Sequence, residues 1–145
     1  MKIYLIGSLR NANVPELGKR VRALGHDVVD DWHAAGPEAD DYWQQHETRK
    51  EHTYKQALQS RIAKHVFSFD YNHLKDSDAA ILLMPGGKSA HLEAGFMVGQ
   101  GKPVWVLFDK TPERYDQMYQ FVFTTGGDVF LEEQDLIDAL KSYKV

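Results

Sequence analysis

The stretch from Ala79 to Phe108 limits most sharply what this chain can fold into. An apolar run, Ala79 to Met84, stops at Pro85-Gly86-Gly87. A segment rich in small residues follows, and Gly101-Lys102-Pro103 leads into a second apolar run, Val104 to Phe108. Short apolar runs bounded by Gly and Pro on either side of a helix-length segment predict strand, turn, helix and strand, a parallel βαβ unit. One carboxylate, Glu93, stands in the first turns of the predicted helix among Ala90, Leu92, Ala94, Gly95 and Phe96. Open α/β sheets bind ligands at the carboxyl ends of their strands, so Glu93 is expected to face such a crevice, where desolvation raises a carboxyl pKa. A helix-surface glutamate favoured by the helix dipole is the alternative reading. The apolar neighbours and flanking glycines weigh for the crevice.

The same alternation extends along the chain. Lys2 to Ile6 reads as a first strand ending at Gly7-Ser8-Leu9-Arg10-Asn11. Val14, Leu17, Val21 and Leu24 recur at gaps of three and four, which predicts a helix closed by Gly25. Asp27 to Trp32 reads as the second strand, and residues 33–41 as a loop. Tyr42 to Val66 is polar and lacks Gly and Pro, which predicts helix, broken once, with a solvated face; a lid or partner surface presenting aromatics is the alternative. Phe67 to Lys75 leads into the third strand. Arg114 to Phe123 carries Tyr115, Met118, Tyr119 and Phe121, which suit a subunit interface or the protein's own core equally. Val129 to Leu131 reads as a final strand and Glu132 to Val145 as a terminal helix. The sum is one domain over residues 1–145: a three-layer α/β fold, Rossmann- or flavodoxin-like, with a mostly parallel five-stranded sheet.

Composition removes several function classes. The formal charge of −4 offers no basic surface for a polymeric nucleic acid. The absence of cysteine excludes a disulfide framework, a thiolate metal site and a cysteine nucleophile, and suits a reducing cytoplasm. No apolar run is long enough to span a membrane, and the first apolar run is too short for a secretory signal. None of the seven histidines has metal-ligand spacing, so no metal is expected; His91 stands out by its place in the glycine loop. Gly86-Gly87-Lys88-Ser89 lacks the first glycine of a Walker loop, and neither Gly-x-Gly-x-x-Gly nor Gly-x-Ser-x-Gly occurs. No cofactor is implied. The Gly7-Ser8-Leu9-Arg10 turn offers backbone N–H groups, a hydroxyl and a guanidinium fork to an anion, although spacing alone favours an ordinary strand-to-helix turn.

Three segments, in this order and spacing, resemble the nucleoside 2-deoxyribosyltransferase superfamily, which includes the 2′-deoxynucleoside 5′-phosphate N-glycosidases. They are Lys2-Ile3-Tyr4-Leu5-Ile6-Gly7-Ser8-Leu9-Arg10, then Asp70 with Asp78 eight positions on, then His91-Leu92-Glu93-Ala94-Gly95-Phe96 with Gly101-Lys102-Pro103. The resemblance implies chemistry at an N-glycosidic bond through an oxocarbenium-like transition state. In it, Glu93 matches the nucleophile, Asp70 the carboxylate that helps protonate the leaving base, and Tyr4 the tyrosine that holds nucleophile or sugar. Gly7, Ser8 and Arg10 match residues around a 5′-phosphate. Gly87, Ser89 and His91 lie in the loop around the 5′ end of the sugar, and Trp32 is a candidate to stack on the base. It also implies a homodimer or larger homo-oligomer in which a neighbour completes each site.

Two departures qualify the match. The Tyr42 to Val66 segment is outside the pattern. Asp116-Gln117-Met118 lies where the phosphate hydrolases donate a serine from a neighbouring subunit, and an acid there repels phosphate; Arg10 argues for a monophosphate, and Lys88 offsets the acid. The rivals to an enzyme are a nucleotide-binding module on the same fold and an unrelated flavin-binding domain. A binder has no need of Glu93, Asp70 and Tyr4 together.

Overall fold

The computed structural model describes residues 1–143. Its strands are β1 (Lys2–Ile6), β2 (Asp27–Val29), β3 (Ala79–Leu83), β4 (Val104–Leu107) and β5 (Asp128–Phe130). Its α-helices are α1 (Asn13–Arg22), α2 (Ala39–Arg49), α3 (Tyr54–Leu58), α4 (Arg61–Asp76), α5 (Lys88–Gly99) and α6 (Glu133–Ser142). The sheet order is β2-β1-β3-β4-β5, and each neighbouring pair is parallel, so the sheet is wholly rather than mostly parallel. This is the flavodoxin-like order, whose switch point lies between β1 and β3.

Strand alternation splits the core into two layers. Ile3, Leu5, Ile81, Leu83, Trp105 and Leu107 turn to one face and pack with Val14, Leu17 and Val21 of α1 and Leu136 and Leu140 of α6. Tyr4, Ile6, Ala80, Leu82, Val104 and Val106 turn to the other, against Leu74 of α4, Ala90, Ala94 and Met97 of α5, and Val122 of the 3-10 helix Gln117–Thr125. The register is pinned at the start of β1, where Lys2 N–H donates to Asp78 Oδ2 and Asp78 N–H donates to the Lys2 carbonyl, both at 2.8 Å. It sets Tyr4 between Val29 and the small Ala80.

The structure redraws several boundaries. The second strand stops at Val29, because Asp31–Ala35 turns into a 3-10 helix. The Trp32 indole N–H donates to the Leu5 carbonyl at 2.8 Å and draws this segment over β1. The segment predicted as helix with one break is broken twice. Thr53 and Gln56 form a reciprocal capping box that starts α3, and the Ser60 hydroxyl accepts from Ala63 N–H to start α4. The helix then continues through residues 67–76, which carry Asp70. The last predicted helix ends at Ser142; its expected final residues, Lys144 and Val145, lie outside the described residues.

β5 is held close by Gly127, at which an added Cβ would lie 1.8 Å from the Val104 carbonyl oxygen. Backbone cannot yield as a flexible side chain does, so Gly127→Ala is expected to cost about 2 kcal/mol or more. Thermal unfolding followed by circular dichroism should show a melting temperature lowered by several degrees.

Candidate active site

The candidate site is built by one strand and two helices on the same side of the sheet. Period-two alternation sends Tyr4 of β1 under α4 and α5, where it is 1% exposed. On α4, Asp70 lies one turn before the buried Leu74 and so shares its inward face. On α5, Glu93 falls three residues after Ala90 and four before Met97, both buried, so it occupies what is otherwise a core position. The Tyr4 hydroxyl donates to Asp70 Oδ1 at 3.2 Å.

These groups shift one another. Burial, followed by the negative charge of Asp70, pushes the Glu93 carboxyl up to about 8, against the hydrogen bond from Tyr4. Burial also raises Asp70, opposed by the Tyr4 hydrogen bond and the charge of His73. Tyr4 is raised far above the ordinary phenol range by burial and then by the charges of Glu93 and Asp70, and it stays a donor at every accessible pH. Two half-buried carboxyls beside one phenol resist full ionisation, and Glu93 is the one that keeps its proton up to about 8.

The other candidates occupy loops beside this centre. Gly7 opens the β1–α1 turn, where an added Cβ would come 3.1 Å from Val14 Cγ2 and 3.5 Å from the Leu83 carbonyl. The Ser8 Oγ accepts from Arg10 N–H at 3.1 Å and keeps its own proton free to donate. The Arg10 fork is not empty: Nη2 donates to Asp41 Oδ2 of α2 at 2.7 Å. Trp32 is half-buried and carries the bond to Leu5 that bends the chain. Gly87 is the N-cap of α5, whose first turn receives no side-chain cap, and Ser89 is exposed in that turn.

His91 is fixed from both ends. Its Nδ1 meets the Gly87 carbonyl at 2.7 Å and its Nε2 meets the Tyr119 hydroxyl at 2.8 Å. A carbonyl only accepts, so Nδ1 carries the proton, and in the neutral ring Nε2 accepts from Tyr119. Tyr119 packs edge-on against Phe108 and lines a cleft of about 280 Å³ with Met84, Lys110, Arg114 and Asp116. Met118 is exposed on the surface. Asp116, the expected source of repulsion, spends Oδ1 on the Met118 N–H at 2.8 Å.

Sequence reading missed Asp41 and the tie from Tyr119 to His91. Both depend on contacts across the fold, 31 and 28 residues apart, and carry no local signal. Among the described residues no group of three His, Cys, Asp or Glu is arranged to hold a metal, and no helix is long and apolar enough to cross a membrane.

No protein-family model matches the chain, and no curated protein matches it significantly in sequence. Solved structures do resemble it. Clostridium botulinum CMP N-glycosidase BcmB superposes with a TM-score of 0.59 over 97% of this chain and 98% of that chain, at 14% identity. A 2-deoxyribosyltransferase from the psychrotolerant bacterium Bacillus psychrosaccharolyticus superposes with a TM-score of 0.61 over 99% of this chain and 93% of that one, at 22% identity. The chain shares the fold of these two enzymes over nearly the whole length of each.

Glu93 binds its proton more tightly in the folded chain than in the unfolded one, so folding stability falls as pH rises from the carboxylate range through about 8. Glu93→Gln removes that loss. Discounted for the residue's partial exposure, it should stabilise the protein by about 2 kcal/mol at pH 9 and change little at pH 4. Denaturant titrations at the two pH values measure the difference.

Proposed function

We propose that this protein is an enzyme that breaks the N-glycosidic bond of a nucleoside or a nucleoside 5′-monophosphate, with Glu93 as nucleophile. The observation that carries the reading is the approach of two half-buried carboxylates to one buried phenol, in a fold shared with a nucleotide N-glycosidase and a deoxyribosyltransferase.

A Glu93 carboxylate oxygen attacks the anomeric carbon. The bond from that carbon to the base nitrogen breaks, its electron pair stays on the base, and Asp70 supplies the proton. The positive charge that develops on the sugar is stabilised by the glutamate. Substrate shifts the proton from Glu93 to Asp70: an electron-poor anomeric carbon favours the Glu93 anion, and a base nitrogen favours protonated Asp70. Water or a second base then attacks the glycosyl ester and gives its proton to Asp70, freeing Glu93. Tyr4 donates to Asp70 and holds it in place beside Glu93. Ser8, Arg10, Gly87, Ser89 and His91 surround the 5′ end of the sugar, where the segment with Met118 reaches a neighbouring copy's site, and Trp32 borders the base.

The protein acts as a homodimer. The helical layer over the site exposes Val66, Phe67 and Phe69 on α4, Leu92 on α5 at 76%, and Tyr115, Met118, Phe121 and Phe123 around the second 3-10 helix, with Tyr115 at 81%. A monomer rarely leaves so much apolar surface to water. Light scattering should give a dimer, and Phe67→Asp combined with Tyr115→Lys should give a folded monomer; a monomeric wild type contradicts the assembly.

Chromatography of deoxynucleosides and their 5′-monophosphates, with and without a second base, tests the reaction. Free or exchanged base is expected, with Glu93→Gln at least ~10³-fold slower. Activity needs one proton on the pair, so kcat/KM should fall above about pH 8. Full activity in Glu93→Gln, or a ligand bound tightly and recovered intact, contradicts the reading.

A further inference from the structure

We infer that Asp41 of α2 is a specificity-determining residue, which sets how strongly the site favours a substrate bearing a phosphate over its uncharged counterpart. The inference rests on the function proposed above and concerns the substrate class of that same site.

Arg10 follows the β1 turn and is the cation placed to receive an anion there. Its guanidinium is already engaged, with Nη2 donating to Asp41 Oδ2 at 2.7 Å. Both side chains are solvent-accessible, at 68% and 50%, so the pair is cheap to break and does not serve stability to any extent. What it changes is the potential at the fork. A phosphate dianion that reaches Arg10 must displace Asp41 and then sit beside a carboxylate fixed in the first turn of α2, with Asp40 next to it. An uncharged hydroxymethyl group meets neither cost.

Other charges near the strand ends do not replace this effect. Asp116 turns Oδ1 onto the Met118 N–H, in the cleft that it lines with Lys110 and Arg114 on a different loop from Arg10. Ser8 is neutral, and its oxygen is taken up by the Arg10 N–H. Asp41 is the carboxylate in direct contact with the cation an anion would seek. It also gives the start of α2, just before the Tyr42 to Val66 segment that stands outside the sequence resemblance, a role at the substrate's 5′ end.

The test compares kcat/KM for a deoxynucleoside 5′-monophosphate with that for the matching deoxynucleoside. Asp41→Asn keeps the size of the side chain and removes its charge. The monophosphate-to-nucleoside ratio should rise roughly three- to tenfold, the scale of one accessible charge acting on a dianion. The gain should vanish in Asp41→Asn combined with Arg10→Gln. An unchanged ratio, or a gain that survives without Arg10, overturns the inference. If neither substrate turns over, the enzymatic reading fails on its own, and calorimetry with inorganic phosphate still decides this point. Tighter binding to Asp41→Asn than to wild type, lost with Arg10→Gln, supports it; equal affinity, or binding to neither, overturns it.

Discussion

A tyrosine hydroxyl between two carboxylates that water only half reaches is the interaction on which the rest of this structure depends. Tyr4 cannot ionise there, and Asp70 and Glu93 cannot both ionise cheaply. Such a cluster costs folding energy instead of supplying it. The surrounding framework has to be stiff enough to bear it: a parallel sheet with β3 buried throughout, small residues such as Ala80, Ala90 and Ala94 beside the phenol's layer, and a register fixed by the exchange between Lys2 and Asp78. The fold supplies stability, and the site draws on it.

The arrangement also explains how three residues far apart in sequence meet. Alternation along β1 decides the side of the sheet, and helical spacing decides which face of α4 and α5 turns inward. Asp70 and Glu93 take inward positions that apolar side chains would otherwise fill. The loops at the strand ends then add groups of a different character: accessible, hydrogen-bonded to their neighbours and readily rearranged. Arg10 with Asp41, and His91 with Tyr119, belong to this outer set. In the proposed reading, chemistry falls to the buried set and selectivity to the outer one.

Much of this was legible in the sequence, for identifiable reasons. Apolar runs punctuated by Gly and Pro marked all five strands, and the spacing of Val14, Leu17 and Val21 marked α1. The end of β2 was not legible, because it is set by a tertiary bond from Trp32 to Leu5. The breaks between α2, α3 and α4 were written locally, in Thr53-x-x-Gln56 and Ser60, but without Gly or Pro they read as continuous helix. Glu93 stood out by its apolar setting, whereas Asp70 and Tyr4 were picked out by resemblance, since nothing local separates them from a surface aspartate and a core tyrosine. Asp116 drew attention by its position in the chain; the contact to Arg10 instead comes from Asp41 on another element.

The most direct test of the central claim is intact-protein and peptide mass spectrometry on enzyme quenched during turnover of a deoxynucleoside or its monophosphate. A nucleophilic Glu93 predicts a transient added mass equal to the substrate's sugar, or sugar phosphate, carried on the peptide that contains Glu93 and absent from Glu93→Gln. Base release with no adduct at any quench time, and at an undiminished rate in Glu93→Gln, would contradict the account.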